Sequence, residues 1–230
     1  MLIECIKRTA IAIKMPAILT VDAVLLTLVD SELHVALHQR ETEPCKGHWA
    51  LPGGYVHEDE DNSAKDAAAR VLLAKTAIKS PYLEEFGTFS GPLRDPRGWS
   101  LTVVYFALVA EPIVSNLVEL FAVNKLPALC FDHKQIVDGV VERVRNKAGY
   151  SSLPVHLVAK EFTISELHAA YESVLGERLG MSSFRRRLDG MGILEEVPGA
   201  TRLLGRNRPA QLYRVALRYR NKLSLRDRVL

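Results

Sequence analysis

Between residues 48 and 78 the chain passes from an apolar stretch through two consecutive glycines and an acidic loop into an alanine-rich helix, and no other segment narrows the choice of fold as much. His48-Trp49-Ala50-Leu51-Pro52-Gly53-Gly54-Tyr55-Val56 reads as a strand followed by a glycine loop. Glu60 follows Gly54 after five residues, and Arg70 sits in the middle of the helix Ala67-Ala68-Ala69-Arg70-Val71-Leu72-Leu73, which is expected near 63–77. Glycines at such a turn let a backbone or a ligand approach closely. Glu58, Asp59, Glu60, Asp61 and Asp66 have the chemistry to hold a hard cation. Acids are also favoured at a helix N-terminus by the dipole, and that is the reading adopted.

The rest of the first 150 residues surrounds this segment with strands. Leu19 to Val29 is apolar and β-branched, with one charge at Asp22, and is expected to be a buried strand. Glu32 to Arg40 follows after the turn Asp30-Ser31 as a hairpin partner. Leu83 to Ser90 and Leu101 to Ala110 are further strands, separated by the turn-rich loop 91–98. From about 133 to 148, Ile136, Val137, Val140, Val141 and Val144 are spaced for one buried helix face. Asp132 is expected to cap that helix, since Asp132-His133 has no metal-site spacing with other ligands. Strands flanked by helices suit an α/β/α sandwich. Three widely separated cysteines, Cys5, Cys45 and Cys130, give neither zinc spacing nor a disulfide framework, which fits a reducing cytoplasm. No apolar run is long enough for a membrane span. Residues 1–15 are read as an N-terminal extension, with charges that break up any signal-peptide core.

From residue 151 the character changes. Fourteen Lys and Arg stand against eight Asp and Glu, whereas the first 150 residues carry 16 against 19. A short helix is expected over 151–157. Thr163-Ile164-Ser165-Glu166 matches a capping box, and the helix it starts buries Leu167, Ala170, Tyr171, Val174 and Leu175 before Gly176 ends it. A second helix begins at Ser182 or Ser183 and ends near Gly190, with Phe184, Leu188 and Met191 on one face. Ser182, Ser183, Arg185 and Arg186 lie on the other, with Arg187 at the flank. Two strands, 193–197 and 211–215, enclose a loop holding Arg202, Arg206 and Arg208. Two helices, a turn and a basic hairpin are the order of a winged helix-turn-helix, spanning 151–217, with 218–230 left as a basic tail. A helix fits the major groove, and arginine addresses guanine or clamps phosphate.

The first segment resembles the Nudix box, G-x5-E-x7-R-E-U-x-E-E-x-G-U with U aliphatic. Aligned on Arg70, the three helix glutamates of that pattern fall on Val71, Ala74 and Lys75, and its second glycine on Ala77; nine residues separate Glu60 from Arg70 where the pattern has seven. In Nudix hydrolases those glutamates hold Mg²⁺ against a pyrophosphate, and valine, alanine and lysine offer no such oxygen. The resemblance implies a hydrolase fold over 16–150 with hydrolysis gone: not an enzyme, with no catalytic residue, metal or cofactor. Taken with Phe131-Asp132-His133, Glu161-Phe162-Thr163, Ser183-Phe184-Arg185-Arg186 and residues Gly205 to Arg214, the chain resembles the Nudix-related transcriptional regulators over roughly 16–216. That family implies a bacterial, cytoplasmic, dimeric DNA-binding protein. It implies a repressor of NAD-metabolism genes, released from a palindromic operator by ADP-ribose. A regulator of sugar catabolism sensing a sugar phosphate, and an active ADP-ribose pyrophosphatase, are the alternatives.

On this reading Arg40, Gly53, Gly54, Lys75, Arg94 and Arg97 are the candidates for ligand binding, Lys75 in part replacing the charge of a metal. Surface ion pairing, with Asp95 for instance, is the alternative for each arginine. Thr163, Ser182, Ser183, Arg185, Arg186, Arg187, Arg202, Arg206 and Arg208 are the candidates for DNA contact.

Overall fold

The structure is a computed structural model that describes residues 17–80, 82–110, 115–203 and 209–219. The extension at 1–15, the wing arginines Arg206 and Arg208, and the tail beyond residue 219 lie outside the described residues.

The first half is built on a mixed sheet. Strand β1 (Ile18–Val29) lies at its centre, parallel to β6 (Ser100–Leu108) and antiparallel to β2 (Glu32–Gln39). The main order is β3-β2-β1-β6-β5, with β3 being Trp49–Ala50 and β5 Leu83–Gly91; β4 (Gly53–Tyr55) also pairs with β1, and β7 (Glu119–Ala122) with β2. The hairpin joining β1 to β2 turns through Asp30 and Ser31, both at positive φ (48° and 64°), the geometry of a two-residue turn whose twist matches its strands.

Alternation along β1 decides which helix covers which face. Val24 and Leu26 join Val35, Leu37, Val104 and Phe106 beneath α2 (His133–Tyr150), which contributes Ile136, Val137, Val140 and Val144. On the other face, Ala23 and Leu25 meet Leu72, and Val21 meets Ala67, Ala68 and Val71 of α1 (Ala64–Thr76). This is the α/β/α sandwich that the pattern of apolar residues predicts. Ser63 caps α1, accepting a hydrogen bond from Asp66 N at 3.2 Å. Ala77 closes it at φ 59°, a left-handed position usually given to glycine.

Three features differ from expectation. The glycine segment is not a loop: β3 and β4 are separate short strands, and both glycines sit in the ladder, Gly54 opposite Val21 and Gly53 opposite Asp22. Strand β7 has no clear alternation and carries no distinct sequence signal. Cys45 and Cys130, 85 residues apart, form a disulfide with Cα atoms 6.1 Å apart. The loop holding Cys45 folds back beside the segment before α2, where Cys130 N donates to Trp49 O at 2.9 Å. A spacing of 85 residues encodes nothing of that approach.

A 3-10 turn at Leu153–Leu157 leads into the second half and buries Leu153, Pro154 and Leu157. Helix α3 (Ile164–Leu175) opens with the full capping box: Glu166 N donates to Thr163 Oγ1 at 3.2 Å, and Thr163 N donates to Glu166 Oε2 at 2.7 Å. Helix α4 spans Met181–Met191. It starts earlier than Ser182 because Gly180, not a serine side chain, occupies the cap; Ser183 instead donates back to Gly180 O at 2.7 Å. Strands β8 (Leu194–Arg202) and β9 (Ala210–Val215) form the hairpin, and Phe162 bridges to Tyr213 at its base. Phe162, Leu167, Tyr171, Phe184, Leu188, Met191 and Ile193 make the second core.

Candidate functional site: a cationic cleft and an exposed helix

A cavity of about 340 Å³ opens over the sheet between α1 and the start of α2. All six residues expected to bind a ligand, Arg40, Gly53, Gly54, Lys75, Arg94 and Arg97, line it. Their roles in forming it differ. A Cβ on Gly53 would lie 2.1 Å from Asp22 Oδ1, and one on Gly54 would lie 3.0 Å from Val71 Cγ2. The glycines thus make room for a buried carboxylate and for α1 rather than supplying a turn.

The cations fall into two groups. Arg94 reaches Asp132 with two hydrogen bonds, Nε at 2.9 Å and Nη2 at 2.8 Å, and stands 3.9 Å from Asp22. Asp132 therefore does not cap α2 with its side chain, contrary to the sequence reading, because Arg94 holds its carboxylate. Arg97 pairs with Asp95 (2.7 Å) and donates to Tyr55 Oη at 2.6 Å, which is the ion pair named as the alternative. Arg40 donates to Pro44 O at 2.7 Å and lies over the Phe131 ring, 5.0 Å from its centroid. Among the described residues Arg40 and Lys75 make no salt bridge, so their charge faces the cleft without a carboxylate beside it.

The acidic loop is used internally. Arg70 clasps Asp61 (2.9 and 2.6 Å) and the Tyr55 carbonyl (3.0 Å), which fastens the loop to β4. The hydrogen bonds from Arg70 hold the Asp61 carboxyl down at about 2. Asp66 accepts from Ser63 Oγ at 2.9 Å. Val71, Ala74 and Lys75 form the α1 wall of the cavity. Two carbon side chains and an ammonium do not fit Mg²⁺, which wants several hard oxygens at short range. The described residues hold no cluster of His, Cys, Asp and Glu arranged for a metal.

His133 sits at the floor, fully enclosed. Leu51 N donates to its Nδ1 at 2.9 Å, so the ring proton is on Nε2, 3.6 Å from Asp22 Oδ1. Burial pushes this imidazole below its usual range and keeps it neutral. Asp22, Tyr55, Phe131 and His133 all line the cavity, and the sequence reading gave none of them a site role. They come from β1, β4 and the start of α2, and only the register of β1 against β4 and the close of the 41–48 loop bring them together.

The candidates for DNA contact divide likewise. Ser182, Ser183, Arg185 and Arg186 are exposed on one face of α4. Thr163 is not available: its side chain is buried in the capping box at 1% exposure. Arg202 is tied to Glu166 (2.7 Å) and to the Glu161 carbonyl (3.2 Å), at the loop end of the hairpin, where it pairs with Ala210. Arg187 turns away from Arg185 and Arg186 and donates to the Ala148 carbonyl at the end of α2.

Comparison with known proteins follows the same division. The NUDIX domain model matches residues 19–139, and the NrtR DNA-binding winged helix domain model matches residues 154–215. The ADPR responsive transcriptional repressor NtrR of Acinetobacter baylyi is 40% identical over 209 residues, covering 87% of this chain and 82% of that protein. The crystal structure of Shewanella oneidensis NrtR complexed with a 27mer DNA superposes with a TM-score of 0.82 at 38% identity, over 90% of this chain and 98% of that one. The Nudix domain of the same Shewanella protein, complexed with ADP ribose, matches at 39% identity and a TM-score of 0.52, over 56% of this chain and 88% of that one. With both domains matched in this order and the identity sustained over most of its length, the chain belongs to the NrtR family of Nudix-related transcriptional regulators.

Proposed function

We propose that this chain is a transcriptional repressor that holds a palindromic operator as a homodimer and is released when ADP-ribose, or a closely related nucleoside diphosphate, fills the cleft. The observation that carries the ligand half is the α1 wall: Val71, Ala74 and Lys75 replace metal ligands with a cation, while Arg40 faces the same space. Such a cleft attracts a diphosphate without a means of activating water on it. The relatives named above supply the ligand and DNA classes. On this reading the chain is not a hydrolase, and Mg²⁺ added to protein and ADP-ribose releases no AMP.

The DNA half rests on α4, whose exposed Ser182, Ser183, Arg185 and Arg186 suit insertion into a major groove, with residues 16–150 as the sensing domain and 151–217 as the DNA-binding one. The genes controlled are those of NAD metabolism, and the protein works in the cytoplasm. The test is fluorescence-polarisation binding to the promoter DNA beside the gene, in excess competitor DNA, titrated with ADP-ribose. Specific binding that ADP-ribose weakens supports the proposal. Specific binding indifferent to ADP-ribose but released by a sugar phosphate moves the function to sugar catabolism. Absence of specific binding overturns it.

A further inference from the structure

Helix α2 touches both ends of a ligand-controlled DNA-binding molecule. Its start is a wall of the cleft: His133 lines the cavity, and Asp132 holds Arg94 in a two-point ion pair. Its end is held by α4. There the Arg187 guanidinium donates to the Ala148 carbonyl, makes a longer contact of 3.4 Å to the Ser151 carbonyl, and lies over the Tyr171 ring, 4.9 Å from its centroid. Tyr171 Oη donates to the same Ser151 carbonyl at 2.9 Å. Terminal carbonyls carry the negative end of a helix dipole, and a planar guanidinium suits both them and an aromatic face. Of three consecutive arginines, two point outward and the third grips a helix of the other half.

We propose that Arg187 is a positioning residue that couples occupancy of the cleft to the orientation of α4, and that the Arg94–Asp132 pair is the cleft end of the same device. This rests on the reading of the cleft as a nucleoside diphosphate site. A diphosphate entering the cleft competes with Asp132 for the Arg94 guanidinium, since both are anions that take a two-point contact. Release of Asp132 unties the first turn of α2 from the loop that carries Arg94. An 18-residue helix moves as a rod about 27 Å long, so a shift at one end appears at the other. Helix shifts of about 1–2 Å are a common switching movement. Displacing the Ala148 and Ser151 carbonyls drags or frees Arg187 and so turns α4. Two recognition helices that must enter grooves at a fixed spacing tolerate little of that.

The test uses the full chain and promoter DNA, with and without saturating ADP-ribose, together with calorimetric ADP-ribose affinity in the absence of DNA. In the wild type, ADP-ribose raises the DNA Kd by roughly tenfold or more. Arg187→Ala is expected to bind ADP-ribose like the wild type, yet to show a rise of less than about threefold. Tyr171→Phe keeps the ring under the guanidinium and removes one carbonyl contact; it is expected to fall between, and it serves if Arg187→Ala does not fold. A purely structural role lowers stability and leaves the ratio unchanged. A DNA contact weakens binding equally with and without ligand and reduces the salt slope by about one. Either result overturns the proposal. No ligand effect in the wild type sinks the effector reading itself, and the coupling with it.

Discussion

A Cβ at position 53 would stand 2.1 Å from Asp22 Oδ1 and 3.2 Å from the Val21 carbonyl oxygen, so this glycine is dictated by a neighbour rather than by its own backbone angle. Asp22 is buried and held between Arg94 and His133, so it has little room to withdraw. Gly53→Ala is expected to destabilise the fold by roughly 1–3 kcal/mol, as overpacking does, and to weaken ADP-ribose binding. Urea denaturation with calorimetry reads both, and Gly54→Ala, which meets only Val71 Cγ2 at 3.0 Å, is the milder control. An unchanged midpoint for Gly53→Ala would show that Asp22 moves freely. The pair of glycines was plain in the sequence, but the reason for it was not. A glycine required by a facing carboxylate looks the same on the page as one required by a turn.

Two helices show how local chemistry and tertiary context share the work. Ala77 ends α1 with φ at 59°, where a β-carbon costs about 1–2 kcal/mol relative to glycine. Ala77→Gly is expected to raise stability by about 1 kcal/mol, offset in part by the entropy glycine adds to the unfolded chain. A lower melting temperature in that variant would mean that the αL cap is not the native one. Helix α4 presents Arg185 and Arg186 outward because Phe184, Leu188 and Met191 bury the opposite face. Arg186→Ala is expected to weaken operator binding by about 1–3 kcal/mol if it contacts a base. Binding that stays unchanged at moderate salt would remove α4 from the recognition role. The amphipathic spacing of α4 was legible from residue types alone. The inward turn of Arg187 was not, because the carbonyls it grips belong to α2, nearly forty residues earlier.

At the scale of the whole molecule the two halves meet at the 3-10 turn, where His156 stacks on Tyr82 of the sheet domain, ring centroids 4.4 Å apart. Burial pushes the His156 imidazole down to about 4. Its folded value lies below the unfolded one of about 6.5, so the unfolded chain takes the proton first as pH falls. Stability from this group is whole above about pH 6.5 and declines by up to roughly 3 kcal/mol as pH drops to 4. Melting curves from pH 7.5 to 4.5 are expected to show a steeper loss in the wild type than in His156→Phe; parallel curves would place the acid sensitivity elsewhere. The sequence alone determined the two modules and their order, the α/β/α sandwich, the capping box of α3 and the basic second half. Each of these follows from residue type and spacing within a single element, where periodicity of 2 or 3.6 and capping chemistry act. Only the tertiary structure decided which arginines still face the cleft, that Asp132 binds Arg94 instead of capping α2, that Thr163 is buried, and that Cys45 reaches Cys130. Those outcomes depend on groups far apart in the chain, and a charge or thiol meets its partner through strand register and loop closure that no local pattern encodes.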